Sequence, residues 1–329
     1  DKSDKYTFDV SSDDGVRLYI DDKLVINDWN DHAVLTNSYT MELNAGQLYK
    51  IKLDYYEKGG GAIVKFGWRK PNDQLFVDAI NAAKNSDVVI VFAGTNYNYE
   101  SEGFDRKDLT LPNDQDELIK KVAEANKHTI VVLTTGSPVL MNEWLDSVDG
   151  LVEAWFAGEQ AGNAIAEVLL GETNPSGKLP ITFPKRWEEC SAFDSYKKLD
   201  GTTIYKDGIY IGYRHFEKYK IQPLFPFGFG LSYTTFKYNE LKLSSKEINK
   251  TDKLIVSLKL KNTGSVKGSE VVQLYVKDIQ SSIDRPIKEL KGFKKVSLNP
   301  GEEKIVELTI DQKSLSFFDS KLKDWNAES

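Results

Sequence analysis

The stretch FVDAINAAKNSDVVIVFAG, residues 76–94, decides the fold class of this sequence. Its first half has apolar residues at helical spacing, whereas VVIVFAG is a short, almost uninterrupted apolar run typical of a parallel strand covered on both faces. The pattern repeats in LPNDQDELIKKVAEANK (111–127), TIVVLTT (129–135), GLVEAWFA (150–157) and AGNAIAEVLLG, a helix that ends at Gly171. This alternation of helices and strands predicts an α/β layer architecture.

Both flanks of the α/β region have the alternating pattern of β-strands. YTFDVSSDDGVRLYIDDKLVIND (6–28) alternates apolar and polar residues around the turn signals DDG and DDK, and Pro71 marks the end of this part. From about residue 238 onward, short strands separated by Gly, Pro and Asn turns predict a small β-sandwich. We therefore predict a multidomain α/β plus all-β protein, with a β-sandwich module at 1–71, an α/β sandwich domain at 72–236 and a second β-sandwich at 237–329.

A segment rich in glycine and aromatic residues, YKDGIYIGYRHFEKYKIQPLFPFGFGLSYTTF (205–236), joins the last two domains. We call it the aromatic strap. One hypothesis is that its rings only pack over the neighbouring domains. The other is that they also wall a ligand cleft, and the sequence does not decide between them.

Composition excludes several classes of protein. The formal net charge of −7, without a long Lys/Arg cluster, argues against a nucleic-acid partner and favours a neutral ligand. One cysteine, Cys190, and three scattered histidines predict neither an internal disulfide nor a metal or cofactor site. No apolar run approaches the roughly 18 residues that span a bilayer, so no membrane partner is predicted. The N-terminal residues lack a signal-peptide pattern, and the compartment stays open.

Three carboxyl groups crowd the loop ESEGFDR (100–106), which follows the first buried strand. Like charges so close together raise the pKa of at least one group, as general acid catalysis requires. A charged loop is more often simply solvated, so the residues alone leave this point open. The neighbouring sequence lacks other catalytic signatures, since Gly94 and Gly136 belong to no G-x-G-x-x-G fingerprint and Ser137 to no G-x-S-x-G elbow.

Two features of the first module have alternative interpretations. Asp13 and Asp14 in DDG are either a calcium-binding pair or, as we favour, turn residues that cap backbone amides. Trp29, Phe66 and Trp68 either line a ligand subsite or, as is more usual, belong to the sandwich core.

Six segments, in this order, resemble the C-terminal half of a glycoside hydrolase of family 3, of the kind with an inserted protective-antigen-type module. They are residues 12–29, 100–106, 154–184, 207–216 and 226–236, and the terminal sandwich. The resemblance implies a barrel domain with an aspartate nucleophile, which is missing here, then the α/β sandwich and a fibronectin type III-like domain. It also implies that both ends are cut, the first module being partial. Asp28-Trp29 belongs to the module and not to the nucleophile motif.

The resemblance implies a β-glucosidase in which Glu102, the glutamate immediately before glycine, is the general acid/base. Glu100 is the alternative, and we expect Asp105 and Arg106 to pair locally and hold the loop. The expected partners are a β-glucoside or related oligosaccharide and the missing barrel, without which no activity is expected. A non-catalytic carbohydrate-binding or adhesin-like module is the competing hypothesis.

Overall fold

The chain forms two compact units, Asp1–Ala157 and Gly158–Ser329, in the computed structural model. The structure describes residues 3–69, 73–103, 105–196, 202, 204–249 and 251–328. Pro71, where the sequence predicts a domain boundary, lies outside the described residues.

The first unit opens with a module of two antiparallel sheets, in the orders β4-β1-β6 and β3-β2-β5. Its strands are β1 (Asp4–Ser12), β2 (Val16–Ile20), β3 (Lys23–Asp28), β4 (Leu35–Leu43), β5 (Ile51–Tyr55) and β6 (Val64–Arg69). Alternate residues of a strand face opposite sides, so Phe8, Val10 and Leu18 reach one common core. The predicted DDK turn is confirmed, since Asp21 and Asp22 both have positive φ (48° and 63°), as a tight hairpin requires.

The second part of this unit is a parallel sheet in the order β7-β8-β9. Its elements are α1 (Asp73–Lys84), β7 (Val89–Gly94), α2 (Gln115–Ala125), β8 (Thr129–Thr134), a 3₁₀ turn (Leu145–Ser147) and β9 (Gly150–Glu153). Helix α2 buries Ile119, Val122 and Ala123, which have the spacing of one helical face. The predicted alternation of helices and strands is confirmed.

Coverage of β7 differs from the expectation of a doubly covered strand. Ile90 is 42% exposed and Phe92 64% exposed, whereas Ala93 is buried. Burial along β7 therefore alternates, as it does in a strand covered on one face. The apolar run alone does not distinguish one covered face from two, because apolar residues also occur on open faces.

The second unit contains short helices followed by a β-sandwich. Its elements are α3 (Ala161–Leu169), a 3₁₀ turn (Trp187–Glu189), α4 (Phe193–Tyr196), α5 (Tyr213–Lys218), β10 (Phe236–Leu243), β11 (Leu254–Asn262), β12 (Gly268–Val276), β13 (Glu289–Leu298), β14 (Glu303–Ile310), α6 (Gln312–Leu315), β15 (Phe317–Asp319) and β16 (Asp324–Asn326). The main sheets have the orders β10-β11-β14 and β12-β13. They enclose a core of Leu260, Val272, Leu298 and Val306.

The aromatic strap packs its rings on one another and on the terminal sandwich. Tyr213 stacks on Phe227 at a centroid distance of 5.1 Å and meets Tyr275 of β12 edge-on at 5.9 Å. Its hydroxyl also accepts a hydrogen bond from the backbone N–H of Leu290, at 3.0 Å. Packing accounts for these rings, and a wall for a ligand cleft stays a prediction.

Gly94, the last residue of β7, provides a test of the parallel sheet. A Cβ atom there would lie 2.2 Å from the carbonyl oxygen of Thr134 on β8. We expect Gly94→Ala to lower the free energy of unfolding by about 1–3 kcal/mol, because the strands must move apart. Urea denaturation followed by tryptophan fluorescence measures the change. Gly67→Ala in β6 is the matched control, since its Cβ would meet nothing within 4 Å, and an equal loss in both variants contradicts the pairing.

Candidate active site

The carboxyl ends of β7, β8 and β9 bring polar residues from distant parts of the sequence to one edge of the sheet. Strand β7 leads to Glu100, β8 leads to the turn 135–137, and β9 ends at Glu153. The register pairs Leu133 with Glu153, so the ends of β8 and β9 lie level. Ligands of open α/β sheets bind outside the carboxyl ends of the strands, and we therefore place the candidate site at this edge.

Glu100 accepts hydrogen bonds at both of its carboxylate oxygens. Oε1 accepts from Nη1 of Arg106 and from Oγ of Ser137, both at 2.6 Å. Oε2 accepts from the backbone N–H of Gly136 at 2.7 Å and from Oγ1 of Thr95 at 3.0 Å. Only 12% of the Glu100 side chain is exposed. This carboxylate is therefore fixed in place by the strand ends around it.

Two opposing effects set the pKa of Glu100. Burial alone raises it, because the charged form loses its hydration. The hydrogen bonds from Ser137 and its neighbours, together with the charge of Arg106, outweigh burial and hold the pKa below its usual value. Glu100 is thus an ionised anchor at neutral pH and is poorly suited to donate a proton.

Glu102 lies two residues further along the same loop and is exposed. Within the described part of the chain, no donor is bonded to its carboxylate. The following glycine donates its N–H to Oγ of Ser101 at 3.2 Å, which shapes the loop beside Glu102. Of the two glutamates that the sequence singles out, Glu102 is the one whose carboxyl is accessible to solvent.

The loop is held by an ion pair, although with a different partner from the one expected. Arg106 pairs with Glu100 and also donates to Oγ of Ser137 at 2.7 Å, while Asp105 is exposed. The expected local pair of Asp105 and Arg106 is thus replaced by a longer-range one, because the buried Glu100 carboxylate needs a positive partner more than a solvated aspartate does.

Gly136 lies where a side chain would not fit. A Cβ atom there would come within 2.5 Å of Oε2 of Glu100 and 2.8 Å of the Phe156 ring. Because the position has no side chain, the backbone N–H approaches the carboxylate directly. The close approach of Glu100 therefore accounts for a glycine at position 136, although no dinucleotide-binding fingerprint is present.

Glu153 is a residue that the sequence analysis missed. It is partly buried at the end of β9, and its carboxylate accepts from the backbone N–H of Trp155 at 3.0 Å. It also accepts from Oγ1 of Thr135, at 3.4 Å to Oε1 and 3.3 Å to Oε2. Burial, with a contribution from the nearby charge of Glu100, raises the pKa of Glu153 to about 7. The sequence feature that could have identified Glu153 is its position as an acidic residue at the end of the apolar strand GLVE, residues 150–153.

The first module contacts the loop that carries Glu102. Lys107 donates a hydrogen bond through Nζ to Oδ1 of the buried Asn37 in β4. A Cβ atom on Gly103 would lie 3.0 Å from the side chain of Ala33. The module therefore fixes one flank of the loop.

The aspartates of the module have structural roles. The Asp14 carboxylate accepts from the backbone N–H groups of His32 at 3.0 Å and Lys58 at 2.7 Å, which is the capping role that we favoured. The Asp28 carboxylate accepts from Asn37 Nδ2 at 2.8 Å and Asn30 Nδ2 at 3.3 Å. Among the described residues, no group of three or more His, Cys, Asp and Glu side chains is arranged to hold a metal ion.

The module aromatics are more exposed than a core location predicts. Trp29 is 37% exposed, Phe66 36% and Trp68 60%. Trp29 lies against the guanidinium of Arg17, 4.3 Å from its ring centroid, and edge-on to Tyr56. The hypothesis that they line a subsite stays a prediction, and the core interpretation is wrong for Trp68.

Among the described helices, none has the length and apolarity to cross a membrane.

The chain thus combines a charged loop at the carboxyl edge of an α/β sheet with β-rich segments on both sides in sequence. Residues 5–233 match the model of the glycosyl hydrolase family 3 C-terminal domain, and residues 270–329 match that of a fibronectin type III-like domain. The chain belongs to glycoside hydrolase family 3. The protective-antigen-type identity of the first module stays a prediction.

Named relatives agree with this family. The chain is 46% identical over 287 residues to "Thermostable beta-glucosidase B" of Acetivibrio thermocellus, covering 84% of this chain and 38% of that protein. It is 36% identical to "Probable beta-glucosidase I" of Aspergillus clavatus, covering 98% of this chain and 42% of the relative. The chain thus spans about two fifths of the length of these relatives.

Solved structures show the same likeness. The beta-glucosidase from Kluyveromyces marxianus, crystallised with glucose, matches with a TM-score of 0.77 and 35% identity, over 99% of this chain and 40% of that one. DesR, a beta-glucosidase from Streptomyces venezuelae in complex with D-glucose, matches with a TM-score of 0.77 and 32% identity, over 99% and 42%.

Removal of Arg106 tests the anchor. We expect Arg106→Ala to lower the free energy of unfolding of the first unit by roughly 3 kcal/mol, because Glu100 is left as a buried charge without its cation. Denaturant titration followed by tryptophan fluorescence measures the loss. Lys121→Ala is the control, since Lys121 forms an exposed pair with Glu117 and such pairs contribute at most about 1 kcal/mol. Equal losses in the two variants contradict an anchoring role.

Proposed function

We propose that this chain supplies the general acid/base of a retaining, exo-acting β-glucosidase, and that Glu102 is that residue. The observation that supports it most directly is the contrast between the two glutamates of one loop. Glu100 is bonded at both oxygens and ionised, whereas Glu102 is exposed at the carboxyl edge of the sheet. Of these two glutamates, we assign a structural role to Glu100 and the chemical role to Glu102.

Retaining glycoside hydrolysis needs two carboxyl groups about 5–5.5 Å apart on either side of the scissile bond. In the first step, one attacks the anomeric carbon while Glu102 protonates the departing oxygen. In the second step, the ionised Glu102 removes a proton from the water that releases the sugar. The nucleophile is, on this proposal, an aspartate of a barrel domain outside this chain.

The anchored loop suits this double role. A residue that alternates between acid and base must reach the leaving oxygen without moving its support. Glu100 and Arg106 fix the loop from the sheet side, and Lys107 fixes it from the module side through Asn37. Glu102 itself is left free to face a cleft formed with another domain.

The proposed substrates are terminal β-D-glucosyl residues of glucosides and short oligosaccharides. The relatives are named beta-glucosidases, and the two structural neighbours described above were solved with glucose. A non-catalytic carbohydrate-binding module is the second candidate, favoured by the exposed Trp29 against Arg17, an aromatic platform of the kind that binds sugar rings.

Because the proposed nucleophile lies outside this chain, we expect the purified 329-residue polypeptide to hydrolyse no aryl β-glucoside. Release of p-nitrophenol from p-nitrophenyl β-glucoside measures this, with a heat-killed sample as control. Turnover above the control would mean that both carboxyl groups lie within this chain.

In the full-length enzyme that contains this chain, we expect Glu102→Ala to reduce hydrolysis of a sugar leaving group by on the order of 10²- to 10⁴-fold. Glycosylation by a dinitrophenyl glucoside should suffer far less, since dinitrophenolate departs without a proton. Azide needs no general base, so it should restore turnover and yield a β-glucosyl azide.

Glu100→Ala is the matched variant for this experiment. It should lower stability and show no azide rescue, because it loses the anchor and keeps the acid. Azide rescue of Glu100→Ala, or an equal loss with both leaving groups for Glu102→Ala, would show that the acid is another residue of the loop. Activity that survives Glu102→Ala unchanged would favour the non-catalytic candidate for this region.

A further inference from the structure

Two carboxylates take their donors from the same short turn. The Thr135 hydroxyl donates to Glu153, whereas the next two residues, Gly136 and Ser137, donate to Glu100. The three consecutive residues of the turn 135–137 thus donate to two different carboxyl groups, the first to Glu153 and the next two to Glu100. Hydrogen bonds to both carboxyl groups therefore constrain the position of the turn.

We propose that Glu153 is a positioning residue for Glu102, acting through the turn 135–137 and the Glu100 anchor. The inference rests on the proposed role of Glu102 and adds a residue that regulates that site. Glu153 touches no substrate on this proposal. It determines where the turn lies and, through Glu100, where the loop 100–107 presents its acid.

The turn transmits displacement because it has little free space. A Cβ atom at Gly136 would meet Glu100 on one side and the ring of Phe156 on the other, at 2.5 and 2.8 Å. Thr135 is fully buried. A shift of the turn toward or away from Glu153 therefore moves the N–H that holds Glu100.

On this proposal, the charge of the Glu153 side chain determines where the turn 135–137 lies. The groups that face Glu153 are the N–H of Trp155, the donors of Thr135 and, from the loop after β7, the ionised Glu100 with its partner Arg106. Below about pH 7 Glu153 is protonated and uncharged. Glu100 then does not compete with a second carboxylate for the donors of the turn. Above pH 7 Glu153 becomes negative, repels Glu100 and draws the donors of the turn. The loop is therefore held best on the acidic side of this transition.

The first experiment uses the 329-residue chain alone. Labelling with ¹³C-threonine and ¹⁵N-glycine selects the amides of glycines that follow threonine, which in this sequence are Gly136 and Gly264. We expect the Gly136 amide shift to titrate with a midpoint near pH 7 and the Gly264 shift, in the second unit, to show no such step. The step should vanish in Glu153→Gln.

Glu143→Gln, which changes an exposed glutamate of the same unit, is the matched control and should leave the step in place. The Glu153→Gln variant shows whether Glu153 is the source of the step. A step that persists in Glu153→Gln, or a wild-type Gly136 shift without a step near pH 7, overturns the proposal. Neither outcome depends on whether Glu102 is the acid.

The second experiment uses the full-length enzyme. Glu153→Ala should lower kcat for a sugar leaving group by roughly 10²-fold, the effect of misplacing a catalytic group by about 1 Å, and should affect a dinitrophenyl glucoside far less. Glu153→Gln keeps acceptor and shape without the charge, so it should retain activity below pH 7 and lose less than wild type above it. If Glu153→Ala slows both leaving groups equally, its role is only structural. Failure of the Glu102 assignment would appear separately, in the Glu102→Ala variant.

Discussion

A carboxylate withdrawn from water is stable only where donors replace its hydration, and Glu100 meets this condition by drawing on separate stretches of chain. Thr95 comes from the end of β7, Arg106 from the far side of the loop, and Gly136 and Ser137 from the turn after β8. Each of these segments lies outside the strands, and Glu100 is the group to which all of them donate. One charged group therefore ties together three segments of the sheet edge.

This dependence also separates the two glutamates of the loop. If Glu100 were neutral, its oxygens would compete poorly for Arg106, and the loop would lose its fixed end. Because it stays ionised, Glu102 two residues away is presented from a rigid base while remaining exposed. On the proposed assignment, pre-organised support of this kind holds the proton donor in place.

The sequence predicted the larger features because they rest on local patterns. Apolar periodicity identified the helices and parallel strands, and turn signals identified the hairpin at Asp21 and Asp22. The motif around Glu102 identified the loop. The partners of that loop were not predictable, since Gly136 and Asn37 approach it only after folding. Nor does a sequence reveal which of two adjacent glutamates is buried, or that Glu153 shares a turn with Glu100.

The bond between Lys107 and Asn37 has a consequence for the exchange of modules between related enzymes. Asn37 is buried, and its other amide atom donates to Asp28, so the loop is joined to the interior of the module and not merely to its surface. A transplanted module that lacks this asparagine would be continuous in sequence and yet leave Lys107 without its acceptor. Recombination of such enzymes is therefore constrained by the contact between the module and the loop as well as by the points where the chain is cut.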